Sequence, residues 1–162
     1  MFHGYVLDQH YRLYSAGSGA ALDSAIVSND KQKKPVFYYY WGPSAILGKY
    51  DMVQLKMNDY DPANNVCYAE ARCQTSIAGG YPEGEVKTLV AGKFKQQAPA
   101  IYEFLPKVSF ENDTVNKLLA WRGEDNKAEP KEVAEHFLKN NQDIWKIWVP
   151  KDVADTVISR LN

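Results

Sequence analysis

The sequence predicts an α/β fold, a parallel or mixed sheet followed by a helical carboxyl-terminal part, and three observations carry that expectation. Short strand-like runs occur at Tyr11–Ser15, Pro35–Trp41, Met52–Met57 and Glu85–Phe94. The residues between the first two runs have helical spacing, which makes a right-handed strand–helix–strand crossover. Beyond Gly92 the apolar residues recur three and four apart, the period of amphipathic helices.

In chain order, Ala16-Gly17-Ser18-Gly19 turns the first run into a helix whose apolar positions are Ala21, Leu22, Ala25 and Ile26, with Ser15 or Ser18 as its cap. That helix fades in Asn29-Asp30-Lys31. The next run puts Val36, Tyr38 and Tyr40 on one face of a strand and Phe37, Tyr39 and Trp41 on the other. Gly42-Pro43 stops it, since proline cannot continue in a sheet interior, so Trp41 stands at a strand end. Two readings of this run are open. The plain one is an aromatic core strand; the other is a binding site, because ligands of open α/β sheets sit beyond the carboxyl ends of strands and an indole face attracts cations.

Ser44 to Tyr50 reads as a short helical turn, Met52–Met57 alternates Met52, Gln54 and Lys56 against Val53, Leu55 and Met57, and Asp59 to Tyr81 reads as a long irregular loop. Val86, Thr88 and Val90 then oppose Lys87, Leu89 and Ala91. The helices expected afterwards are Gln96 to Lys107, with Ala98, Ile101, Tyr102 and Leu105 on one stripe; a second capped by Asn112 or Asp113 and closed by Gly123; a third opened by Pro130 and carrying Phe137, Leu138, Ile144, Trp145 and Trp148; and Lys151 to Leu161.

Composition narrows the function classes. With 162 residues, 45% of them apolar, the chain suits one domain with a sizeable core, and a formal net charge of -1 points to no nucleic acid. The Lys31 to Lys34 cluster reads as a solvated turn. No apolar run approaches the roughly 18 residues of a membrane span, and Met1-Phe2-His3-Gly4 lacks the start of a secretory signal. Cys67 and Cys73 are too far apart for a Cys-x-x-Cys motif; a local disulfide and two free thiols are both compatible with them. His3, His10 and His136 are scattered without ligand spacing, so no metal is expected. Ala16-Gly17-Ser18-Gly19 completes neither a Walker loop nor a dinucleotide fingerprint nor a nucleophile elbow. Neither catalysis nor a cofactor is therefore expected. Trp121, Trp145 and Trp148 lie on amphipathic helices and read as core.

The run Pro35-Val-Phe-Tyr-Tyr-Tyr-Trp41-Gly-Pro43, followed by Ile46-Leu47-Gly48-Lys49-Tyr50-Asp51-Met52-Val53-Gln54-Leu55, resembles the glycine betaine/proline-type substrate-binding proteins of ABC transporters. The resemblance extends through Cys73, Gly80-Tyr81-Pro82, Ala98-Pro99, Phe104-Leu105, Asn116-Lys117, Ala120-Trp121, Phe137-Leu138-Lys139-Asn140-Asn141, Trp145 and Trp148-Val149. It implies a type II periplasmic binding protein-like fold of two α/β lobes, of which this chain holds the carboxyl-terminal half: residues 1–43 as part of the second, inserted lobe, and residues 44–162 as the return segment and carboxyl-terminal part of the first. It implies a small quaternary ammonium ligand held in an aromatic cage, ABC transporter membrane subunits as partners, and a periplasmic or other extracytoplasmic location, with a cytoplasmic one as the alternative for a sequence that starts without a secretory signal. Trp41 matches the cage tryptophan of the family, and neighbouring Tyr39 and Tyr40 are the other candidates. Ser44-Ala45 stands where family members commonly carry another bulky residue, and Gly42 where they are often polar or acidic. The alternative expectation is a stand-alone domain that forms a homo-oligomer and no longer binds the family ligand.

Overall fold

The computed structural model describes residues 2–64, 77–123 and 127–161, and among them the regular structure is helical, with no strand. This corrects the α/β expectation. The runs 11–15, 35–41, 52–57 and 85–94 carry no ladder, and apolar residues of the alternating runs stand in the open: Val53 is 85% exposed, Val86 98% and Leu89 91%. A strand exists only through hydrogen bonds to a neighbour. Alternation marks a segment able to pair, and pairing is supplied from elsewhere or not at all. The sheet of a type II periplasmic binding protein-like lobe is accordingly absent from the described residues.

The chain forms two compact units. The first comprises Met1–Tyr38 and Val53–Val86. Its main element is α1, Gly19–Lys31, which starts where Gly17 adopts a left-handed φ of 76° and the Ser18 hydroxyl accepts the Ala21 N–H at 3.2 Å. The cap takes up one of the amides that the first turn of a helix leaves unpaired. Ile26 is buried. The Asn58 N–H donates to the Tyr5 hydroxyl at 2.7 Å, and a side chain at Gly4 would overlap the Ile77 carbonyl, so the segments around 4, 58 and 77 are drawn together by close backbone approach.

The second unit comprises Tyr39–Met52 and Lys87–Asn162. It contains α2 (Ala45–Lys49), α3 (Phe94–Gln97), α4 (Pro99–Phe104), α5 (Asn112–Trp121), α6 (Pro130–Asn140), α7 (Gln142–Trp145) and α8 (Lys151–Leu161). The helix expected over 96–107 is divided at Ala98, since Pro99 has no N–H to give to the preceding turn, and it finishes as the 3-10 turn Leu105–Lys107. In α5 Asn112 is the first helical residue and Glu111 occupies the cap position. Pro130 opens α6, where the Glu132 carboxylate reaches back to the Glu129 N–H at 2.7 Å. The apolar face expected to run on to Trp148 is interrupted at Asn141 and resumes in α7 and the 3-10 turn Lys146–Trp148.

Phe137, Trp145, Trp148 and Ala154 form the buried centre of this unit, with Phe104, Val108, Leu118, Leu138, Ile144, Val149, Val157 and Ile158 around it. Phe110 lies 5.1 Å from both Phe137 and Trp148, tilted to the first and edge-on to the second. The Trp145 indole N–H donates to the Leu138 carbonyl at 2.8 Å, which lets a large ring be buried without losing its one polar bond. None of the described helices is long and apolar enough to cross a membrane.

Candidate functional site

The second unit begins with Tyr39, Tyr40 and Trp41. Its aromatic segment forms no strand ladder, and the Gly42–Pro43 peptide is cis. The Tyr40 and Trp41 rings stack at a centroid distance of 4.5 Å and an interplanar angle of 1°. Consecutive side chains of a strand point to opposite faces. A stack between neighbours is therefore a direct consequence of the segment leaving strand geometry. Trp41 remains 49% exposed and Tyr39 54%, while Tyr40 is half-buried.

Stacked rings in van der Waals contact have no room for a cation between them. Trp41 has only its outer face left for a ligand, and a single exposed aromatic face attracts a cation by about 0.5–1 kcal/mol. Two concavities in the same unit, one lined by Leu119, Arg122, Gly123, Lys127, Ala128 and Glu129 and the other by residues including Asp113, Lys117, His136 and Asn140, contain none of the three aromatic residues. The aromatic face is open surface rather than the floor of either cavity.

The turn after Trp41 is held firmly. The Ser44 N–H, at the start of α2, donates to Asn116 Oδ1 at 2.7 Å, and Asn116 is the one buried polar residue among those described. Ser44 does not cap its own helix, and its hydroxyl oxygen is buried with no hydrogen-bond partner among the described residues. Four residues on, a Cβ at Gly48 would overlap the Asn116 carbonyl, so α2 rests on α5 at backbone distance. Gly42 lies over Leu47 and the Asn112 amide, with room for a Cβ at 3.6–3.7 Å. Neither Asn116 nor Gly48 stands out by residue type. The available signals are an asparagine in mid-helix, four residues before the buried Ala120, and a glycine within a short helical turn.

In the first unit, burial first and the negative charge of Asp30 second push the Tyr38 phenol above its ordinary value. Tyr38 thus stays protonated throughout the physiological range. Cys67 and Cys73 lie outside the described residues. No cluster of metal-ligating side chains forms among the described residues. Compared with known families, residues 1–140 match the model of the substrate-binding domain of the ABC-type glycine betaine transport system, OpuAC.

Proposed function

The chain belongs to the family of substrate-binding domains of ABC-type glycine betaine transport systems, and on that premise we propose that it binds a quaternary ammonium osmoprotectant through the outer face of Trp41. The family is one of transport binding proteins rather than enzymes, working with a small ligand and with ABC transporter membrane subunits. The observation that carries the finer reading is the exposure of Trp41 in a stack with Tyr40, immediately before a turn tied to the helical body by Ser44 and Asn116. A trimethylammonium group has no N–H to donate, so a π face is the protein surface best suited to it. Tyr39 and Tyr40 are the further aromatic contacts in this reading. The site of action is outside the cytoplasmic membrane.

Calorimetric titration with glycine betaine, choline, proline betaine and proline tests the proposal. Saturable binding of the quaternary ligands, weakened in Trp41→Ala, is expected. Absence of a saturable response to all four would reject it.

A second reading, a self-associating domain that does not bind the family ligand, is favoured by the exposure of Leu13, Tyr14, Val53, Val86 and Leu89. Light scattering separates the two: this reading requires a dimer or larger species and no ligand-induced change, and a monomer that binds betaine rules it out.

A further inference from the structure

We infer that Asn116 is a positioning residue for the aromatic face, a role that rests on the quaternary-ammonium reading of Trp41. Two contacts made by α2 converge on this single residue. At the amino end of α2, the Asn116 amide oxygen accepts the Ser44 N–H at 2.7 Å. At its carboxyl end, Gly48 lies against the Asn116 main-chain carbonyl with no space for a side chain. One contact uses the side chain of Asn116 and the other its backbone, so α2 is fixed to α5 both in distance and in register.

Only Gly42 and Pro43 separate Ser44 from Trp41, and Gly42 itself lies over Leu47 of α2 and Asn112 of α5. A displacement of α2 therefore carries the Trp41 attachment point with it. The burial of Asn116 points the same way. An amide taken out of water is tolerated where its hydrogen bonds are made, and the Asn116 oxygen makes its bond to the Ser44 N–H. The Ser44 hydroxyl, although correctly placed in sequence to cap α2, makes no such bond. The start of α2 is thus held from a distant helix instead of by its own cap, and this ties the aromatic segment to the body of the unit.

The test uses Asn116→Leu, which keeps the branched outline of the side chain and removes the acceptor; Asn116→Asp, which keeps an acceptor; and Gly48→Ala, which leaves the amide untouched but forces α2 away from α5. The readouts are the near-ultraviolet dichroism of the Tyr40–Trp41 pair, obtained by difference against Trp41→Phe, far-ultraviolet helix content, and glycine betaine affinity. Asn116→Leu should lose the ring-pair signal and bind about twofold to fivefold more weakly with helix content retained, and Asn116→Asp should recover the ring-pair signal. Asn116→Leu with ring-pair signal and affinity both at wild-type level overturns the inference. Should Asn116→Leu fail to fold, Gly48→Ala decides: loss of the ring-pair signal supports the positioning role, and an unchanged signal overturns it. A wild-type protein that binds no betaine defeats the functional reading alone, because the dichroism still decides whether Asn116 positions the pair.

Discussion

Tyr40 and Trp41 are sequence neighbours whose rings lie parallel to within 1° and 4.5 Å apart, so the face each ring offers to the other is lost to any ligand. Such a pair is worth about 0.5–1.5 kcal/mol beyond its buried area, and it holds Trp41 in one orientation. If the outer indole face receives the cation, Trp41→Ala removes the direct contact, and glycine betaine affinity should fall by about twofold to fivefold, equivalent to about 0.5–1 kcal/mol. Tyr40→Ala removes the support and a flanking contact, and should cost less. Calorimetry on both variants checks this order, and a larger loss in Tyr40→Ala would move the contact to the tyrosine.

Phe137 is 6% exposed and meets Phe110 at 5.1 Å and Trp148 at 5.8 Å. Phe137→Ala should destabilise the second unit by about 3–5 kcal/mol, through lost burial and the cavity left between the two neighbouring rings. Urea unfolding followed by tryptophan emission measures the shift. A loss below about 1 kcal/mol would mean that the rings around position 137 close over the gap.

Ser18 caps α1 through a 3.2 Å contact from the Ala21 N–H. Ser18→Ala should cost about 1 kcal/mol, and Ser18→Asp, which retains an acceptor and suits the helix dipole, should restore most of it. Thermal unfolding of the three proteins provides the comparison. Equal midpoints would show that solvent serves the first turn as well as serine does.

The Tyr38 phenol is held above the ordinary phenol range by burial and then by Asp30. A folded-state value above the unfolded one means that the native protein keeps this proton when the unfolded chain has released it. The associated stability is complete below the unfolded value and declines as pH rises through the interval between the two. Unfolding midpoints should accordingly fall above about pH 10, and Tyr38→Phe should show a shallower decline. Parallel pH profiles for the two proteins would expose an error in this assignment.

The helical half is largely legible from residue order. Helix periodicity is local: Val153, Val157 and Leu161 mark α8 whatever surrounds it, Pro130 marks the opening of α6, and Ser18 is one of two candidates for the cap of α1. The differences at 98 and 141 concern where helices break, which depends on a proline and on the packing of the two sides. The alternating runs mislead because alternation is local whereas a strand needs hydrogen bonds to a neighbour, and none of these runs forms a ladder among the described residues. Trp41 is identifiable as the last aromatic residue before Gly42-Pro43, yet strand alternation places it opposite Tyr40, and the stack brings the two together.

Local order along the chain thus accounts for most of the helices, the Ser18 cap of α1 and the family to which residues 1–140 belong. The neighbours of the aromatic segment are another matter. Ser44 and Asn116 are 72 residues apart, and nothing in the chemistry of either residue announces the other. Their hydrogen bond forms because Gly48 lets α2 approach the backbone of α5 closely enough for a buried amide to find a donor. Contact at that distance in sequence is a property of packing, and packing is set by the whole of the surrounding unit.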